Sequence, residues 1–303
     1  MREIHYEITE QDAGLAIEPF LKKRHGYSSR TIVKLKHYEE GIRLNGVHAR
    51  TIDLLKEGDD LCITFLDNDN NLDNYIRSNV AVEISYEDED ILVYNKPPFM
   101  PCHQSCGHAA DTLANVFASH CDKLGQMLMY RPLNRLDRDT TGAVVIAKTR
   151  FAAASITGGF HKVYRAIVCG VPEPREGRID LPIRREFPEE MRRIVAEEGQ
   201  RAVTNYKVIA ENGEYSLVDF TLETGRTHQI RVHMSYLGYP LIGDPMYGQP
   251  SAKIDRQALH CVSIGFQHPV SREDVQVSCP LPEDMKQLCR EFGFKIPELE
   301  EKQ

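Results

Sequence analysis

RPLNRLDRDTTGAVVIAKT, residues 131–149, places three arginines and two aspartates on a polar loop that runs directly into an apolar, β-branched stretch. A run such as GAVVIAK reads as a buried strand, because branched side chains pack well on a pleated surface. The charged residues just ahead of it then sit on a loop presented by a rigid scaffold, where chemistry is commonly carried. Moving outward, VEISYEDEDILVYNK also reads as strand, and KVYRAIVCG alternates so that Tyr164, Ala166 and Val168 share one face. TNYKVIAENGEYSLVDFTLE holds Asn212-Gly213 between two strand patterns, a strong hairpin signal. In TGRTHQIRVHMSYLG, Thr227 is placed to cap a helix with Ile230, Met234 and Leu237 on its apolar side and a stop at Gly238. There is no internal repeat, so residues 80–303 read as an α+β domain with a mixed, mainly antiparallel sheet.

Asn- and Asp-rich residues 66–79, LDNDNNLDNYIRSN, resist regular structure and read as a linker, with boundaries at 67–79. Residues 1–66 then form a small helix-plus-hairpin module. Its stretch SSRTIVKLKHYEEGIRLNG has a capping Ser pair, apolar Ile32, Val33, Leu35 and Tyr38, a Gly stop and an Asn45-Gly46 turn. The chain's formal charge of −8 excludes whole-surface attraction to nucleic acid. Residues 20–50, however, hold eight cations, Lys22, Lys23, Arg24, Arg30, Lys34, Lys36, Arg43 and Arg50, against Glu39 and Glu40. That concentration fits either an RNA contact or a solvated helix face.

The charged beginning MREIHYEITEQD lacks the apolar stretch of an export signal, and no run of about 18 apolar residues can span a bilayer. Eight cysteines spread over 303 residues lack the density of a disulfide scaffold. The expectation is a cytoplasmic protein with reduced thiols and no membrane contact.

Residues 131–149 resemble the catalytic motif of the RluA-type RNA pseudouridine synthases: Arg135, Leu136, Asp137, Thr140, Thr141, Gly142, Ala147 and Lys148 match as they stand. Three further blocks follow the family's order: NKPPFMPCHQS at 95–105, KVYRAIVCG at 162–170 and ETGRTHQIRVHMSYLGYPLIGDPMYG at 223–248. Before the linker there is a looser similarity to an S4-type RNA-binding module. The resemblance implies a pseudouridine synthase catalytic domain with a central cleft, preceded by an S4-like α/β module. It further implies an isomerase acting on structured RNA, ribosomal RNA first and transfer RNA second, as a monomer that needs no metal or organic cofactor.

The implied reaction breaks the bond between uracil N1 and ribose, turns the base, and rejoins it through C5, with no water or redox step. It requires a carboxylate able to form or support a covalent intermediate at uracil C6 or ribose C1′, and Asp137 occupies that position. Without the family, an Asp between Arg135 and Arg138 reads as an ordinary ion-pair partner. A nucleophilic Asp in a dry pocket needs a cation to keep it charged. The resemblance assigns that role to Arg226, with Arg231 as the alternative. Tyr164 matches the family's active-site tyrosine, whose ring stacks on the uracil, although a strand tyrosine alone reads as core. Arg135 is placed to push the base out of its stack. Ile242 is expected as a pocket wall or as core, while Lys96 and His103 are expected beside the cleft, as RNA contacts or as satisfied interior groups.

Two departures stand out: Asn134 replaces the family's His, and the segment between Lys148 and Lys162 is shorter than usual. Cys102, His103, Cys106 and His108 are zinc-type residues whose spacing lacks a second ligand pair. The competing readings are a non-catalytic RNA-binding protein with a degenerate synthase body, and a carboxylate hydrolase, for which no paired acid is present.

Overall fold

The computed structural model describes residues 2–66, 71–156 and 159–297. The first sheet contains β1 (Arg2–Glu7), β2 (Ile42–Leu44), β3 (Val47–His48) and β4 (Asp60–Phe65), ordered β1-β4-β2-β3 and antiparallel throughout. Helices α1 (Ile17–Lys23) and α2 (Ser29–Lys36) accompany it. Ser28 caps α2 by accepting the Thr31 amide, and Asn45 and Gly46 take positive φ at the β2–β3 turn. Of the expected apolar positions on α2, Ile32 and Leu35 are buried whereas Val33 and Tyr38 face solvent. The module's core accepts Phe151 from the second part of the chain, its ring packed at a tilt against Tyr27 and Phe65. Burying such a ring contributes roughly 1.5–3 kcal/mol, and the Arg2–Asp90 ion pair lies at the same junction.

The linker expected at 67–79 is only partly within the described residues, since 67–70 lie outside them. The remainder is packed rather than free. Leu72 is buried in the main core, and Arg77 pairs with Asp122 at 2.6 Å.

The second sheet is built from β5 (Glu83–Glu87), β6 (Ile91–Lys96), β7 (Thr141–Ala147), β8 (His161–Cys169), β9 (Glu176–Asp180), β12 (Val203–Glu211), β13 (Tyr215–Leu222), β14 (Leu259–Gln267) and β15 (Asp274–Ser278). Its path is β5-β6-β7-β14-β8-β13-β12-β9, with β15 on the free half of β14. Only the β7–β14 pair is parallel, so the sheet is mixed and mainly antiparallel. That pair demands Gly142: a Cβ there would lie 2.2 Å from the Cys261 carbonyl oxygen, and its φ is +109°. A separate two-stranded hairpin of β10 (Ile183–Arg185) and β11 (Arg193–Val195) packs Ile183 and Val195 with Val232 and Tyr247.

Helices α3 (Leu113–Leu124), α4 (Arg150–Ser155), α5 (Gln229–Tyr236) and α6 (Glu283–Glu291) complete the chain. One sheet face carries Tyr164, Ala166 and Val168 in a core shared with Ile230 and Met234 of α5. The other face packs Ile167 and Leu217 against Met285, Leu288 and Cys289 of α6. Leu237 is exposed instead of joining the apolar side of α5. Thr227 does not cap this helix either, because its N-cap is His228, without a side-chain cap.

Candidate active site

Asp137 leaves a tight turn in which the Thr140 amide donates to the Asp137 carbonyl at 3.1 Å. Two buried cations hold the backbone just beyond it. Lys96 Nζ donates to the Pro97, Met100 and Arg138 carbonyls at 3.0, 2.9 and 2.9 Å. Arg256 Nη1 donates to the Asp139 carbonyl at 3.2 Å while its other nitrogens pair with Asp284. Burial pulls the Lys96 ammonium down to about 8. With all three of its donors occupied by carbonyls and the residue fully buried, Lys96 is a brace for the Asp137 loop and not an RNA contact.

Asn134 works as a backbone mimic on the strand side of the loop, accepting the Val145 amide at 2.8 Å and donating to the Ala143 carbonyl at 3.0 Å. It therefore serves β7 rather than the carboxylate. The short segment after Lys148 forms α4, whose Phe151 faces the first module, and its residues 157–158 lie outside the described set.

Asp137, Tyr164, Arg135, Arg226 and Arg231 line one narrow cavity, walled by Leu136, Leu222, Ile230 and Leu259. Within it the expected cation pairing is reversed. Arg231 Nη1 meets Asp137 Oδ2 at 3.1 Å, whereas Arg226 Nε donates to the Arg201 carbonyl at 3.1 Å. The cause is local: Gln229 accepts the Arg226 amide, so Arg226 ends on the rim before α5 begins. Arg231 lies in the helix's first turn, from which side chains lean toward the helix N-terminus and here toward Asp137. Arg231 is itself clamped by fully buried Asp244, at 2.7 Å from Nε and 2.9 Å from Nη2. Burial works against its charge, but Asp244 and then Asp137 outweigh this and its pKa rises.

Tyr164 is buried, which pushes its phenol well above the usual range, so the group is a neutral hydroxyl. Ile242 does not reach the cavity. Its amide donates to the Ile167 carbonyl and its side chain packs in the α6 core, across the sheet from Tyr164. His103 is exposed, edge-on to Tyr130, with its pKa lowered by partial burial and by Arg135; it lies outside the cavity lining. Cys102 faces the Leu136 backbone at 3.5 Å. Among the described residues, the four zinc-type side chains do not bring their ligand atoms together.

Three features escaped the sequence reading. His228 lies between Asp137 Oδ2, 3.8 Å from Nε2, and the Tyr247 hydroxyl, 2.9 Å from Nδ1. Asp244 orders the turn that carries Tyr247, by accepting the Met246 and Tyr247 amides. Finally, Arg184, Arg185, Arg193 and Arg226 line an adjoining groove of about 270 Å³. The Gly-Asp dipeptide before MYG was the available signal for the second feature, since a buried Asp in a turn commonly organises backbone amides.

A carboxylate in a guanidinium ion pair, with a neutral phenol and apolar walls beside it, is suited to covalent attack on a flat polar ring. Comparison with known proteins gives the family. The RNA pseudouridylate synthase family matches residues 90–236. YjbO of Bacillus subtilis strain 168, described as an uncharacterized RNA pseudouridine synthase, is 38% identical over 270 residues, covering 88% of this chain and 95% of that one. Ribosomal large subunit pseudouridine synthase D of Zymomonas mobilis is 38% identical over 229 residues, covering 69% and 72%. The solved structure of human RNA pseudouridylate synthase domain containing 4 superposes with a TM-score of 0.56 at 26% identity, over 71% of this chain and 94% of that one. The chain belongs to the RluA-type RNA pseudouridine synthases, isomerases that convert uridine in RNA to pseudouridine.

Proposed function

We propose that this chain isomerises specific uridines in structured RNA, with large-subunit ribosomal RNA as the substrate and Asp137 as the nucleophile. The observation that carries the reading is the Arg231–Asp137 ion pair facing the same cavity as Tyr164. Asp137 bonds to uracil C6 or ribose C1′ and the N1–C1′ bond breaks; the base turns, C5 bonds to C1′, the Asp137–carbon bond breaks to return the carboxylate, and the C5 proton leaves as N1 takes one up. Tyr164 offers its ring face and a neutral hydroxyl to the uracil. Arg231, rather than Arg226, is the charge partner of Asp137. Arg135 and Arg226, on the exposed rim, guide the extruded nucleotide inward.

Residues 1–66 act as an S4-like RNA-binding module, 67–79 as the connection and 80–303 as the catalytic domain, in a cytoplasmic monomer. Among the described residues no helix is long and apolar enough to cross a membrane. Ribosomal RNA is favoured by relatives that carry that substrate in their names. The test is incubation with ribosomal and transfer RNA from a strain lacking this protein, followed by pseudouridine mapping. Wild type is expected to modify large-subunit RNA, and Asp137→Asn to bind it equally well with no turnover. Modification of transfer RNA alone would redirect the substrate, and turnover by Asp137→Asn would remove the nucleophile.

A further inference from the structure

The Tyr247–His228 pair stands beside the nucleophile without a part in the reaction as described so far. The Tyr247 hydroxyl accepts the Arg193 amide at 2.8 Å and lies 2.9 Å from His228 Nδ1. A phenol has one hydrogen to donate. The amide already donates to it, and among the described residues Nδ1 is the one acceptor within hydrogen-bond distance for the phenol hydrogen; giving that hydrogen to Nδ1 leaves the ring proton on Nε2. Nε2 lies 3.8 Å from Asp137 Oδ2, a close contact longer than a hydrogen bond, and that oxygen is already held by Arg231. Among the described residues Oδ1 has no such partner, which leaves it as the oxygen open to substrate.

His228 is nearly buried and takes a left-handed backbone, φ +60° and ψ 18°. Among non-glycine residues His is one of the few enriched there, and the conformation persists where its surroundings impose it. Burial, reinforced by Arg231 and Arg193 against the opposing pull of Asp137 and Asp244, lowers the imidazole pKa, so the ring is neutral at pH 7. The Tyr247 ring also lies over the Arg231 guanidinium, 5.0 Å from its centroid. Asp244 fixes both ends of this bracket, through the Arg231 side chain and the Tyr247 amide. Because the Arg193 amide belongs to β11, the chain of hydrogen bonds runs from the arginine groove to His228, whose Nε2 lies 3.8 Å from the Asp137 carboxylate.

We propose that His228, held as its neutral Nε2–H tautomer by Tyr247, is a positioning residue that confines Asp137 Oδ2 and leaves Oδ1 facing the uridine. The proposal rests on the functional reading of Asp137, and its test separates the two. Heteronuclear NMR of selectively labelled histidine rings, with His228 assigned by difference against His228→Asn, reads the tautomer without any turnover. The Nε2–H form is expected in the full-length wild type and a mixture in Tyr247→Phe, which keeps the ring over Arg231. In kinetics on a modified RNA, Tyr247→Phe is expected to lower kcat about tenfold, as loss of a supporting hydrogen bond commonly does, with KM for RNA unchanged. An Nδ1–H or imidazolium ring in the wild type overturns the proposal. So does a Tyr247→Phe enzyme with full kcat, or one whose loss lies wholly in KM. If wild type forms no pseudouridine on any RNA, the functional reading fails while the ring spectra still decide the tautomer.

Discussion

The two basic regions of this molecule look alike in composition and differ in what their cations face. In the first module, five of the eight cations that the sequence left open between RNA contact and a solvated helix face are already paired: Lys22 and Lys36 with Glu18, Arg24 with Asp12, Arg43 with Glu3, and Arg50 with Asp53. Beside the active site, Arg135, Arg185, Arg193 and Arg226 donate only to carbonyls or a hydroxyl, and none has a carboxylate partner among the described residues. Partial burial, then Arg185 and Arg135, lower the Arg193 pKa, which records that these cations repel one another. Among the described residues, only Arg184 of the groove arginines is paired, with Glu198 at 3.9 Å; the other arginines, lacking a carboxylate partner in a chain of net charge −8, fit an anionic partner, and RNA phosphates release counterions on meeting such groups. Pairing, and not the count of cations, separates structural arginine from ligand-facing arginine.

The largest effect expected from this contrast falls on the fully paired case. Arg231→Met removes the guanidinium between Asp137 and Asp244, leaving the Asp244 carboxylate buried with only two backbone amides. Breaking one side of a buried ion pair costs about 3–5 kcal/mol. Chemical denaturation should show that loss together with loss of turnover. A variant of unchanged stability would mean that Arg231 belongs with the groove and not with the framework.

Next in size is the groove itself. Replacing exposed Arg185 and Arg226 and half-buried Arg193 by Gln should cost little stability, within about 0.5 kcal/mol for each exposed site. It should lower RNA affinity by roughly two decades at 0.1 M salt, because each phosphate contact contributes a slope of about −0.7 in log K against log salt for single strands. Binding measured across a salt series checks both the loss and a slope flatter by about 2. If the slope stays the same, the groove does not face phosphate.

How far the sequence foretold this contrast depends on distance along the chain. The alternation in KVYRAIVCG placed Tyr164 on the same face as Ala166 and Val168, and Asn212-Gly213 does turn between β12 and β13. These are local patterns. The partner of Asp137 was harder, because Arg226 and Arg231 are five residues apart in one motif and only the left-handed His228 and the Gln229 side chain decide which turns inward. Ile242 required knowing that its segment bonds to β8 at Ile167, a register set by pairing far along the chain. Lys96 and Arg256 brace the Asp137 loop from opposite sides through carbonyls, and a carbonyl carries no residue-specific signature. Whether a surface cation is paired is likewise a tertiary fact: Arg43 meets Glu3 across forty residues.

The smallest effect is expected where the module's cations remain free. Lys23, Arg30 and Lys34 are exposed and have no ion pair among the described residues. Lys23 ends α1 while Arg30 and Lys34 lie along α2, so they are spread over two helices instead of gathered around a cavity. Cations that bind a flexible backbone singly contribute less than a converging set, because each contact must separately order the strand it meets. Replacing all three by Gln should therefore flatten the salt slope by less than the groove triple does, lower affinity by under about one decade, and leave kcat at saturating RNA unchanged. If this triple instead outweighs the groove, the module is the principal RNA grip and the arginines by Asp137 only orient the nucleotide after capture.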